Sequence, residues 1–203
     1  MEFAPVDRMA GPLCTFGMRE LGRADLRSCC ACACWVSAVA ARRPYRDLDG
    51  LRRAGAAALA ALSWPDVLEA LAVHPRIGER PAGDGREAAW SRAEQASVGQ
   101  VGTGQAGAGQ GGAGRPGADR VDAADREGAD REVLDALRAG NAAYESRFGH
   151  VYLVSATGRG ARELLGLLRA RLGNDAETER AVVRAELGKI VELRLAKLWQ
   201  EAR

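Results

Sequence analysis

The stretch Leu71-Ala72-Val73-His74-Pro75-Arg76-Ile77-Gly78-Glu79-Arg80 holds the side chain best suited to chemistry, His74, one of two histidines in the chain. The proline that follows pushes His74 out of the helical region and so ends any helix arriving from Ser63 at about this point. An imidazole at a fixed helix exit can face a cavity, and its ordinary pKa of about 6.5 lets it give or take a proton near neutrality. The same position also suits a capping or surface histidine, and the motif alone leaves both readings open. Further on, Trp90-Ser91-Arg92-Ala93-Glu94-Gln95 places Ser91 and Glu94 three apart. That is the spacing of a capping box, in which the serine oxygen accepts from a free amide and the glutamate reaches back to another. A carboxylate at a helix N-terminus is well oriented and its charge is stabilised there, so a cap and an acid–base role are compatible.

Four of the five cysteines fall in Cys29-Cys30-Ala31-Cys32-Ala33-Cys34. The run lacks the paired two-residue spacing and second ligand group of a zinc module, and no histidine lies near it in sequence. Free cysteine packs as a small hydrophobe, so these residues are expected to be buried on a helix, with no metal site. An odd cysteine count also argues against a disulfide framework.

The elements that must position these groups read as helices. Residues 1–12 are expected to be a disordered N-terminus, and a single domain runs from residue 13 to 203. Asp25 or Ser28 caps a first helix reaching Ala41 through Trp35, Val36 and Val39, and Asp47 or Asp49 caps a second from Leu51 to Leu62. Ser63-Trp64-Pro65-Asp66 starts a third, because proline is tolerated in a first turn whose amides have no intrahelical partner. From residue 99 to 117 the chain is glycine-rich with almost nothing to bury, so it is expected to be a flexible insertion extending to about residue 130. No strand precedes it and no Gly-Lys-Ser/Thr ending follows, which excludes a phosphate loop. Helical pattern resumes from Arg131 to Phe148. Val151 to Ala156 has no visible strand partner and is expected to be an extended, buried connection. Two more helices follow, one from Ala161 to Leu172 and a last one whose Leu187, Ile190, Val191, Leu195 and Leu198 face inward. The fold class is therefore all-α, a single-domain helical bundle with one disordered glycine-rich insertion.

Composition narrows the function classes. A chain of 203 residues, 47% of them hydrophobic, can bury a core. Its 29 basic and 27 acidic residues are mixed along the chain, which argues against a dedicated nucleic-acid surface. No apolar run reaches the roughly 18 residues that span a bilayer. The N-terminus lacks a basic start, apolar core and small-residue cleavage site, which predicts a soluble protein of the cytoplasm.

Four blocks carry a resemblance in order and spacing. They are His74-Pro75-Arg76-Ile77-Gly78-Glu79-Arg80; Ser91-Arg92-Ala93-Glu94-Gln95-Ala96; Asn141-Ala142-Ala143-Tyr144-Glu145-Ser146-Arg147-Phe148-Gly149; and Arg171-Leu172-Gly173-Asn174-Asp175 with the helix from Glu186 to Leu195. Together they resemble 2-oxo-4-hydroxy-4-carboxy-5-ureidoimidazoline (OHCU) decarboxylase, over about Leu13 to Leu198. The resemblance implies an all-α bundle, usually a homodimer, that forms (S)-allantoin in urate degradation. It implies that His74 and Glu94 are the acid–base pair and that Pro75, Ser91, Gln95 and Arg159 bind the small-molecule substrate. The arginine's place is the least regular feature, because some relatives carry it where this chain has Thr157. No cofactor is implied, because the substrate's ring already holds a conjugated C=N that accepts the electron pair left by carbon dioxide. The rival classes are an inactive helical scaffold and a metal or redox module on the cysteine run.

Overall fold

Residues 21–79, 83–96, 98 and 118–202 are described by a computed structural model, with the backbone alone for 118–127. The N-terminal residues 1–12 and the glycine-rich run 99–117 lie outside them. Among the described residues the chain forms eight helices and no strand: α1 Arg23–Cys29, α2 Ala33–Ala40, α3 Leu48–Ala60, α4 Trp64–Leu71, α5 Arg86–Glu94, α6 Ala118–Phe148, α7 Ala161–Arg171 and α8 Ala176–Glu201. No helix among them is long and apolar enough to cross a membrane.

Local chemistry sets most of the boundaries. Asp47 accepts from the Gly50 amide and starts α3, while Ser63 and Asp66 close a reciprocal capping box with Pro65 in the first turn of α4. Asp175 accepts from the Glu177 and Thr178 amides at the head of α8. Three expectations need correction. The cysteine run does not lie on one helix: Cys30 and Cys32 are extended and separate α1 from α2. Cys29, Cys30, Ala31 and Cys32 are all buried, and one helix face cannot bury four consecutive residues. Gly22 is the cap of α1, and Asp25 instead reaches back to its amide. Finally, α6 begins at Ala118, so residues 118–130 are helical; the alanines and alternating Asp and Arg of that run favour helix.

Two apolar clusters form. One gathers α1 to α5 and α8 around Trp35, Leu51, Leu71, Trp90 and Leu195; the other gathers α6 and α7 around Leu137, Tyr144, Leu164 and Leu168. The connection 151–156 is extended, as its composition predicts, and it runs along the seam. Its residues alternate, with Val151 and Leu153 on the first cluster and Tyr152, Val154 and Ala156 on the second. This is the period of two that extended backbone imposes. At the α3–α8 crossing, a Cβ on Gly55 would meet Leu195 Cδ1 at 2.8 Å, so any larger residue there would have to displace the Leu195 side chain.

A buried polar network pins the seam. Glu179 of α8 accepts hydrogen bonds from Tyr144 of α6, Arg171 of α7 and Asn174, and Arg171 donates on to the Leu153 carbonyl at 2.6 Å. Two turns further along α8, Glu186 accepts from the Ser155 amide at 2.8 Å. Removing one member of a buried ion pair strands the other charge in low dielectric and typically costs about 3–5 kcal/mol. Arg171→Met is therefore expected to lower the urea midpoint by that equivalent with an unchanged denaturant slope, and Tyr144→Phe to cost less, about 1–3 kcal/mol. Equilibrium unfolding checks both, and an unshifted midpoint for Arg171→Met would contradict the network's role.

Candidate active site

The helix α4 stops at Leu71, and a turn closed by His74 N–H on the Leu71 carbonyl at 3.0 Å delivers His74 and Pro75. The loop beyond is held from three sides. Arg76 makes a bidentate pair with Glu145 of α6 at 2.6 and 2.8 Å, and Asn141 of α6 donates to the Ile77 carbonyl at 2.9 Å. The Gln95 amide accepts from Gly78 N–H at 3.1 Å and donates to the Arg76 carbonyl at 3.4 Å. Gly78 has φ of +84°, a conformation other residues resist.

On the facing side, α5 carries Ser91 and Glu94. The helix starts at Arg86 with Gly85 as its cap, so the Ser91–Glu94 capping box does not form. Glu87, Ala88 and Ala89 are good helix formers and extend the element upstream, which puts Ser91 and Glu94 in its last turns. A carboxylate there faces the negative end of the helix dipole, so its charge needs partners from elsewhere. Arg194 of α8 provides them: it donates through Nη2 to Glu94 Oε2 and to Ser91 Oγ, both at 3.0 Å, and lies 3.7 Å from Glu87. Lys197, one turn on, donates to Glu94 Oε1 at 3.2 Å. The Arg194 side chain is 1% exposed and that of Glu94 10%, so this is an internal ion cluster with two cations and two carboxylates. Burial pushes the Glu87 carboxyl up, against the opposing pull of Arg194.

Arg194 was not singled out in the sequence, yet a signal was present. It lies four residues after Ile190 and four before Leu198, on the same apolar stripe of α8, where a charged residue demands an internal partner. The same guanidinium acts on His74. Burial, and secondarily the Arg194 charge, push His74 down from 6.5 to about 3, so the imidazole is neutral and keeps a free lone pair.

The predicted residues divide between two adjoining spaces. Pro75, Ser91, Glu94 and Gln95 line a small cavity of about 20 Å³, together with Ile77, residues 152–157, Ile190 and Leu193. That volume holds about one water molecule. His74 lines the neighbouring cleft of about 640 Å³ with Arg76, Glu79, Glu145 and His150, and Pro75 belongs to both. His150 is edge-on to Trp64 and Tyr144 at 5.4 and 5.5 Å, a packed position on the cleft wall. Arg159 lines neither space: it follows the cavity-lining Thr157 and pairs with Glu163 at 3.3 Å. A third cavity of about 660 Å³, between α3 and α8, contains none of the predicted residues.

The fold has solved counterparts. A crystal structure of OHCU decarboxylase in the presence of (S)-allantoin superposes with a TM-score of 0.64 at 22% identity, over 88% of this chain and 99% of that one. The uric acid degradation bifunctional protein TTL of Arabidopsis thaliana is 24% identical over 184 residues, which cover 90% of this chain and 48% of that protein. The chain thus spans about half the length of this relative. The model of the OHCU decarboxylase family matches residues 19–110 and 115–196, nearly the whole of the described fold, and the chain belongs to that family.

Proposed function

We propose that the chain is a carboxy-lyase that converts 2-oxo-4-hydroxy-4-carboxy-5-ureidoimidazoline to (S)-allantoin and carbon dioxide in urate degradation, without a cofactor. The observation that carries this reading is the meeting of Ser91 and Glu94 with buried Arg194 beside the His74-Pro75 loop, in a chain of this family. The bond from C4 to the carboxylate breaks, and its electron pair passes into the conjugated ring C=N. The ring nitrogen that receives the pair takes up a proton, the 4-hydroxyl gives up its proton as the carbonyl forms, and the neighbouring carbon gains one, so that each turnover takes up one proton overall. Neutral His74 offers the lone pair that engages the 4-hydroxyl. Glu94, fixed by Arg194 and Lys197, orients the ring and takes part in proton transfer. Placement on one side of the ring makes protonation one-faced, which accounts for a single enantiomer.

Ser91, Gln95 and the Pro75 backbone contact ring and ureido atoms in this reading. Arg159 reaches the substrate carboxylate by leaving Glu163, an exposed pair of the kind worth about 1 kcal/mol or less. A cavity of about 20 Å³ does not hold the substrate, so in this reading its lining opens on binding. The homodimer rests on the family resemblance alone.

Circular dichroism at an allantoin-sensitive wavelength, with substrate generated in situ from urate by urate oxidase and hydroxyisourate hydrolase, checks the proposal. Wild type is expected to accelerate (S)-allantoin formation, and folded His74→Ala and Glu94→Ala variants to lose about 10²- to 10⁴-fold. Only the slow racemic background with wild type would overturn it. The state of His74 has its own readout. Its imidazole is expected not to titrate through 6.5 in an NMR series, and a midpoint near 6.5 would contradict the neutral assignment. Because the folded value is depressed, the unfolded chain binds a proton that the folded chain refuses, so His74 makes stability fall as pH drops from 6.5 toward 3.

A further inference from the structure

The cysteine run supplies half of a ligand set whose other half comes from α4. Cys32 caps α2 and Cys34 sits in its first turn, while Asp66 and Glu69 stand on the first turns of α4. The ligand atoms of Cys32, Asp66 and Glu69 all lie within 4.8 Å of one another, and the Cys34 thiol hydrogen-bonds the Asp66 carboxylate. We propose that Cys32, Cys34, Asp66 and Glu69 form a binding site for one borderline-soft divalent cation of the zinc type.

Four features support it. Cys32, Asp66 and Glu69 already lie within one shell, and Cys34 joins them through Asp66; a mixed set of thiols and carboxylates suits zinc, whereas calcium and magnesium require an all-oxygen shell. Cys32 is fully buried at the head of α2, with its sulfur against the Trp35 and Cys34 amides and within 4.8 Å of the Asp66 and Glu69 carboxylates. Two carboxylates stand together there in an arginine-rich chain, and among the described residues neither has an ion-pair partner. The second shell is already present: Glu69 Oε1 accepts from the Ala33 amide at 3.2 Å, and Asp66 Oδ2 from Ser63 N–H and Oγ at 3.0 and 2.6 Å. These contacts orient the carboxylates and leave one oxygen on each for a metal. Sequence spacing hid the site because α4 supplies its second pair of ligands from more than thirty residues away.

Binding exchanges the two S–H protons for metal–sulfur bonds, and both protons pass to water. The cation would tie α2 to α4, the helix that delivers His74. It adds no group to the decarboxylation itself, so its test is independent of that reaction.

Cobalt(II) titration of the full chain, followed by absorption and proton release, tests the site. The expected result is saturation at one cobalt per chain, with a thiolate-to-cobalt charge-transfer band, release of about two protons per metal, and displacement by one equivalent of zinc that raises Tm. Cys34→Ser, at an exposed position, is expected to halve the band, and Glu69→Gln, which keeps the Ala33 contact, to weaken binding with the band retained. Cys14→Ser and Cys30→Ala are expected to leave the titration unchanged. No saturable binding by folded wild type, or a band that survives both Cys32→Ser and Cys34→Ser, would overturn the proposal.

Discussion

A guanidinium buried to 1% exposure on the apolar stripe of α8 is the constraint on which the site depends. Moving such a charge out of water costs several kcal/mol, and only close, well-aligned partners offset it. Arg194 therefore requires Glu94, Ser91 and Glu87 of α5 to lie against α8, and it fixes the rotation of α5 about its own axis. The far end of α5 is tied as well: Arg86 pairs with Asp25 at 2.6 Å, and Trp90 Nε1 donates to Glu201 at 3.1 Å. A helix of nine residues, too short to be stable alone, is thus held at both ends by α1 and α8.

The same electrostatics links the two sides of the site. The charge that Glu94 needs, at the negative end of its own helix, also helps to keep His74 unprotonated. A carboxylate held in place by two cations and a neutral imidazole are the two groups that the proposed proton handling uses. The two groups line adjoining spaces that share Pro75, beside the seam where the two apolar clusters meet. The extended connection 151–156 runs there, fixed by Arg171 through Leu153 and by Glu186 through Ser155. Much of the polar chemistry buried in this fold serves to hold irregular backbone in place around that seam, since backbone outside helices has no ladder of its own to satisfy it.

Much of this was legible in the sequence, and the failures have physical causes. Helix starts marked by side-chain caps, at Asp47 and Ser63, were readable because the cap is a local interaction. The break between α1 and α2 was not, because Cys30 and Cys32 leave the helix to satisfy burial on more than one face, a tertiary demand. Ser91 and Glu94 fit the capping-box spacing, but the pattern records only a separation of three. Both their positions in the last turns of α5 and their bonds to Arg194 are long-range facts. The pairing of Gln95 with the Gly78 and Arg76 backbone, and of Asn141 with Ile77, was equally invisible, although each joins blocks that the family resemblance had already singled out. Residue type and order identified the family, and three-dimensional contact showed what holds its blocks together.

The central claim is that Arg194 and Glu94 act as one unit holding the site together, and a double-mutant cycle tests it most directly. Unfolding free energies of wild type, Arg194→Met, Glu94→Gln and the double variant would be measured in urea at neutral pH. Each single change is expected to be costly, and the double variant to be less damaged than their sum by about 1–3 kcal/mol. Additivity within about 0.5 kcal/mol would show that the two residues do not depend on each other, and would contradict it.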